Sequence, residues 1–98
     1  MIFTFRGMTV PDHMIDALRR YAASHIEPGD FLLAVLRNDL RGAVMRADDI
    51  NIGLIPAYVA YCYNELPGNC WGSPEAVRAW LARRDDSADD DSGQVYST

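Results

Sequence analysis

The sequence contains no lysine, and arginine supplies all nine of its positive charges. Within residues 1–84 these nine Arg are balanced by nine Asp and Glu, so the net charge of −5 comes entirely from the five Asp of residues 85–98. A body without excess positive charge is not typical of proteins that bind nucleic acid. We therefore expect no direct nucleic-acid partner.

Long apolar runs are also missing. No stretch approaches the roughly 18 apolar residues that a membrane-spanning helix needs, so no membrane association is expected. The first residues, MIFTFRG, are too short and too polar at their end to form a signal peptide. The chain is therefore expected to stay in the cytoplasm where it is made, and its 98 residues suit a single domain.

Cysteine is scarce, with Cys62 and Cys70 as the only two. Two cysteines do not make a disulfide framework, and reduced thiols are the expectation in the cytoplasm. With His13 and His25 they do not reproduce the ligand spacing of zinc sites, and neither cysteine is marked as an activated nucleophile. We expect no metal, no cofactor and no enzymatic activity, because no set of nucleophile, base and orienting residue can be named.

The spacing of apolar and helix-breaking residues predicts an all-α fold, a compact bundle of four or five short helices within residues 9–84. Residues 1–8 are rich in β-forming residues, but a lone strand would lack a partner, so they are expected to form an extended N-terminal arm. Residues 85–98, DDSADDDSGQVYST, have the composition of a disordered segment and predict an acidic C-terminal tail.

Prolines, glycines and capping residues mark the helix boundaries. Pro11 and Asp12 open the first helix, and the EPGD of residues 27–30 ends it and begins the second. Residues 31–36 are apolar on every side, which predicts a central position for the second helix. A break near residues 37–39 is expected, because the following Gly42 costs about 1 kcal/mol of helix propensity. One buried stripe is expected to include Leu33, Leu36, Leu40 and Val44.

A further helix is expected to start at Asp48 or Asp49 and to bend at Pro56. Its predicted inner stripe consists of Ile52, Ile55, Val59, Cys62 and Leu66. Tyr58 and Tyr61 then share another face of this helix. Two interpretations of these tyrosines remain open: packing at the rim of the helix, or a contact surface for a partner, since interfaces are enriched in tyrosine.

The segment GNCWGSPE, residues 68–75, concentrates rare residues before the last predicted helix. As a helix start, it has Ser73 at the N-cap, Pro74 at the first helical position and Trp71 against the core. As a ligand site, the backbone N–H groups of Gly72 and Ser73 would capture a phosphate and Trp71 would stack on a nucleotide base. No phosphate-binding loop motif accompanies it.

The densest polar stretch is RNDLRGAVMRADDIN, residues 37–51. Asn38, Asp39 and Asp48 suit helix caps at a break, or alternatively a polar recognition surface. The stretch lacks the oxygen-ligand spacing of a calcium loop. The acidic tail is either a solubilising extension or a mimic of phosphates that occupies a basic groove on a partner.

The pattern of residues 10–81 contains a series of short motifs. The motifs are PGDFL at 28–32, AVLRNDL at 34–40, AD at 47–48, YNELP at 63–67, CWGSPE at 70–75, and Trp80. Together they resemble a family of small helical proteins from tailed bacteriophages and prophages. Residues 1–7 and the acidic tail lie outside the resemblance. No activity is assigned to that family, so no catalytic residue is transferred.

Small accessory phage proteins often act on host machinery by binding it. The resemblance therefore implies a non-enzymatic protein that binds and inhibits a host protein in the host cytoplasm, for example a defence complex, as anti-CRISPR-like counter-defence proteins do. Two alternatives stay open: a small-ligand binder that sequesters a nucleotide signal, and a structural or assembly homo-oligomer of the phage. The candidate binding residues are Asn38, Asp39, Asp48, Tyr58, Tyr61, Trp71, Gly72 and Ser73.

Overall fold

A computed structural model describes residues 2–91 of the chain, with side chains through residue 84. A two-stranded hairpin precedes five α-helices in this part of the chain, which confirms the mostly helical architecture. The elements are β1 (Phe3–Phe5), β2 (Met8–Val10), α1 (Asp12–Ser24), α2 (Asp30–Leu36), α3 (Leu40–Arg46), a 3-10 turn (Asn51–Leu54), α4 (Ile55–Glu65) and α5 (Pro74–Asp91).

The N-terminal segment folds back on itself. Strands β1 and β2 pair antiparallel, with Phe3 opposite Val10. A two-residue turn joins them at Arg6 (φ 52°) and Gly7 (φ 81°), and two positive φ angles match the turn type that suits the twist of a hairpin. The expectation that a strand here would lack a partner is wrong, because the partner is β2. The hairpin lies on the body through Phe3, whose ring meets Tyr61 edge-on at 5.2 Å.

Helix α2 lies at the centre of the core, as its all-apolar sequence predicts. Every side chain from residue 31 to residue 36 is buried, and α2 contacts α3, α4 and α5. Around it pack buried side chains from α1 and α5, namely Ile15, Leu18, Tyr21, Val77 and Trp80. A seven-residue helix has little stability of its own, so α2 depends on this packing.

The predicted break between α2 and α3 is confirmed. Asn38 adopts a left-handed conformation with φ 61°, which ends α2. The carboxylate of Asp39 then caps α3 by accepting a hydrogen bond from the N–H of Gly42 at 3.0 Å.

The apolar stripe predicted to cross this break is wrong beyond Leu36. Leu40 is 69% exposed, and Val44 is exposed as well. The buried side of α3 consists instead of Gly42 and Ala43. The left-handed turn reorients the chain between the two helices, so helical spacing counted across it no longer marks one face.

Pro56 does not bend a helix; it lies in the first turn of α4. The predicted kink is therefore wrong, because a proline at that position lacks only an N–H that has no intrahelical partner. The predicted cap at Asp48 acts on the preceding 3-10 turn, where its carboxylate accepts the N–H of Asn51 at 2.7 Å. The last helix starts as predicted, with the hydroxyl of Ser73 accepting the N–H of Ala76 at 3.1 Å.

The acidic tail begins inside α5, at residue 85, and continues to residue 98. The backbone of residues 85–91 is helical, but their side chains and the whole of residues 92–98 lie outside the description. Disorder of the tail therefore stays a prediction. Among the residues that the structure describes, no helix is both long enough and apolar enough to cross a membrane.

Candidate functional site

The structure ties the GNCWGSPE segment to the body at several points. The N–H of Gly72 donates to the carbonyl oxygen of Leu36 at 2.7 Å, and the carbonyl oxygen of Cys70 accepts the hydroxyl of Tyr21 at 2.6 Å. Trp71 is half-buried against the core. Phosphate capture by the Gly72 N–H would therefore require breaking the link between α2 and the start of α5. The geometry is that of an anchored helix start.

Both cysteines contribute to the core. Cys62 and Cys70 are free thiols with fully buried side chains. Burial raises the pKa of the Cys62 thiol to about 12 and raises that of Cys70 as well. A thiol that stays protonated and out of contact with solvent is a poor nucleophile, so these residues act here as small apolar side chains.

The two candidate tyrosines, Tyr58 and Tyr61, point inward. Tyr58 is 0% exposed and Tyr61 is 2% exposed, so both side chains pack in the core. The Tyr58 hydroxyl donates to the side-chain carbonyl oxygen of buried Asn51 at 2.5 Å, and its ring meets Phe31 edge-on at 5.1 Å. Burial, with a smaller contribution from the nearby Asp48 carboxylate, raises the pKa of Tyr58 to about 12.

Asp48 therefore belongs to a small structural network with Asn51 and Tyr58. Asp48 accepts the backbone N–H of Asn51, and the Asn51 side chain accepts the Tyr58 hydroxyl. Buried polar groups that satisfy one another in this way fix the geometry of the connection into α4. Asn38 and Asp39, by contrast, lie at the surface beside α3. Of the candidate residues, the structure brings Asp48 and Tyr58 together through Asn51 and ties Gly72 to Leu36.

The inner stripe predicted for this region is only partly confirmed. Ile52 and Val59 of the predicted inner stripe are exposed, Val59 by 44%, whereas Cys62 and Leu66 are buried as predicted. Tyrosine buries more apolar area than valine, and Tyr58 finds a polar partner inside. Turning the tyrosines inward leaves other apolar side chains of α4 on the surface.

These outward side chains form the surface that the sequence interpretation missed. We name it the apolar face and define it by Leu40 and Val44 on α3 and by Val59 and Tyr63 on α4. All four are exposed, Tyr63 by 78%. Each pair is spaced four residues apart, so its members lie on one side of their helix.

The two halves of the apolar face are continuous. A pocket of about 40 Å³ lies between α3 and α4, and Leu40 and Val59 line it together with Asn38 and Asp39. A broader depression of about 600 Å³ runs from Val59 to Tyr63. Val59 lines both and connects them. A contiguous exposed apolar patch of this kind marks an interaction surface more often than scattered apolar residues do.

Comparison with known proteins gives no relative from which a role can be transferred. No family model, no curated protein and no solved structure matches the chain. In the described part of the chain, His, Cys, Asp and Glu side chains form no group of three or more that could hold a metal ion. What the protein binds is therefore inferred from its own surface.

Proposed function

We propose that the chain is a non-enzymatic binding protein that binds and inhibits a host protein in the host cytoplasm, through the apolar face. The observation that carries this proposal is the continuity of Leu40, Val59 and Tyr63 on a surface that no other element of the described chain covers. The phage-like motifs supply the expectation that the partner is a host protein. A defence complex is one such host target.

The chemistry of the apolar face suits a protein partner. Its depressions are open and shallow, and protein interfaces bury shallow apolar surfaces around a few large side chains. Tyr63 is the largest exposed side chain of the face and is among the residue types that dominate binding energy at interfaces. The exposed polar side chains of Asn38 and Asp39, which also line the pocket, can supply hydrogen bonds to a partner.

Affinity capture from a lysate of the bacterial host tests the proposal. The full chain is compared with Tyr63→Asp and with the control Ala79→Asp, which places the same charge on an exposed position of α5. A specific host protein should be captured by the wild type and the control, and at least about tenfold less by Tyr63→Asp, because a central interface residue contributes about 2 kcal/mol or more. Equal capture by all three variants contradicts the proposal.

Light scattering on the purified chain separates a host partner from a second copy. The proposal predicts a monomer that captures a host protein. A dimer that Tyr63→Asp dissociates would instead assign the apolar face to self-association, as a structural or assembly homo-oligomer requires. Circular dichroism on each variant establishes that the fold is kept, which is expected because Tyr63 and Ala79 are both exposed.

A further inference from the structure

A second depression lies apart from the apolar face, where α5 packs on α2. Its volume is about 410 Å³ and its lining consists of Arg37, Pro74, Val77, Arg78 and Leu81. We name it the arginine pocket. None of its lining residues belongs to the apolar face, so the two surfaces can be tested independently.

The charge of the arginine pocket is locally unbalanced. Arginines and acidic residues are equal in number over residues 1–84, yet two guanidinium groups line this pocket, and no carboxylate of the described side chains lines it. The adjoining depression shares Arg78 and Leu81 and adds Arg84, and Glu27 is the one acidic residue among its described lining side chains. Among the described side chains, the positive excess therefore extends from Arg37 and Arg78 to Arg84.

Two arginines and three apolar side chains in one pocket define a ligand chemistry. A guanidinium group presents its N–H donors in a planar fork that matches phosphate oxygens. A phosphate monoester carries about −1.5 to −2 charge at pH 7, and the two positive charges of Arg37 and Arg78 match it. Pro74, Val77 and Leu81 add an apolar wall that free inorganic phosphate would leave unused.

We propose that the arginine pocket binds a small phosphate monoester with a compact apolar body, its phosphate between Arg37 and Arg78 and its apolar group against Leu81. This site differs from the helix start at residues 72–73, where the Gly72 N–H is engaged by Leu36. The ligand class includes mononucleotides and other organic phosphates. Mononucleotides and other organic phosphates share the phosphate group and differ in the size of the group attached to it.

Titration of the full chain, followed by ¹H–¹⁵N NMR of backbone and arginine side-chain resonances, tests the proposal. The probes are phenyl phosphate, adenosine monophosphate, inorganic phosphate and, as a neutral control, benzyl alcohol. We expect saturable shifts at Arg37 and Arg78 with an organic phosphate, at least about tenfold weaker binding of inorganic phosphate, and none with benzyl alcohol. Tighter binding of adenosine monophosphate would indicate a mononucleotide ligand, and tighter binding of phenyl phosphate a smaller organic phosphate.

Substitutions distinguish the pocket from general charge attraction. Arg78→Gln should weaken binding at least about tenfold, and Arg78→Lys should weaken it less, because lysine keeps the charge but loses the fork. Arg19→Gln removes an exposed arginine on α1 and should leave binding unchanged. Equal losses with Arg78→Gln and Arg19→Gln, or no saturable binding at millimolar probe, would overturn the proposal. The apolar face plays no part in either result.

Discussion

The hydroxyl of Tyr21 on α1 donates a 2.6 Å hydrogen bond to the carbonyl oxygen of Cys70, in the loop before α5. The backbone carbonyl of Tyr21 in turn accepts the indole N–H of Trp80 at 2.9 Å. Tyr21, which is fully buried, therefore links α1 both to the loop before α5 and to Trp80 on α5. These bonds hold α5 against the core. The positions of the arginine pocket and of the GNCWGSPE segment both depend on that packing.

Removing the Tyr21 hydroxyl should destabilise the protein. Tyr21→Phe keeps the ring but leaves the buried Cys70 carbonyl oxygen without its partner, which costs about 1–3 kcal/mol. Urea unfolding followed by circular dichroism measures the loss. Tyr63→Phe is the matched control, because Tyr63 is exposed, and it should change the free energy of unfolding by less than about 0.5 kcal/mol. Equal losses in both variants would refute the role of the buried bond.

The cap at the start of α3 should make two substitutions non-additive. A Cβ at Gly42 would collide with the Asp39 carboxylate, so Gly42→Ala must displace the cap. The loss of the cap, about 0.5–2 kcal/mol, then offsets the gain of about 0.5–1 kcal/mol that alanine brings to a helix. In the Asp39→Ala background no cap remains, so the same substitution should stabilise the protein.

A double-mutant cycle in urea measures this coupling. Gly53→Ala serves as the control, because a Cβ at Gly53 meets nothing within 4 Å. Its effect should be the same with and without Asp39. If Gly42→Ala has the same effect in both backgrounds, the carboxylate does not occupy the space beside Gly42.

Stability should fall as the pH rises above about 9. Burial raises the pKa of Cys62 to about 12 and that of Tyr58 to about 12, so the folded state keeps protons that the unfolded chain releases near pH 9 and pH 10. The unfolded state then binds fewer protons, and the free energy of unfolding decreases between the unfolded and folded pKa values. Below pH 8 the contribution of both groups is fully present.

Urea midpoints at pH 7 to 11, with a reducing agent present, measure this dependence. The Cys62→Ala variant should show a smaller decline near pH 9, with the remainder there due to buried Cys70, whose pKa is also raised. It should retain the part that begins near pH 10, where tyrosines of the unfolded chain ionise. A midpoint that stays constant to pH 11 would mean that these side chains are not buried in the folded protein.

Local sequence patterns predicted the features that depend on neighbouring residues. Asp39 and Ser73 cap the helices that follow them, because a cap needs only a side-chain oxygen and the N–H two or three residues later. The central position of residues 31–36 followed from their apolar character on every side. Such features are decided within a few residues of chain.

Features that depend on distant residues were not predicted. The Tyr58 side chain points inward, where its hydroxyl bonds to Asn51 and its ring packs on Phe31. Tyr61 also points inward, where its ring packs against Phe3 of the hairpin. Only with both tyrosines inside does Val59 lie outside and join the apolar face. Arg37 and Arg78 are likewise brought together by the packing of α5 on α2. The residue spacing within a single helix cannot predict these contacts, because they join different elements of the fold.

Photo-crosslinking in the bacterial host addresses the proposed binding surface most directly. A photoreactive amino acid, p-benzoylphenylalanine, replaces Tyr63 in one sample and the exposed Ala79 of α5 in the other. The proposal predicts a covalent adduct between the chain and one host protein from position 63 and none from position 79. An adduct of the chain with itself, or equal adducts from both positions, would contradict the assignment of the apolar face to a host protein.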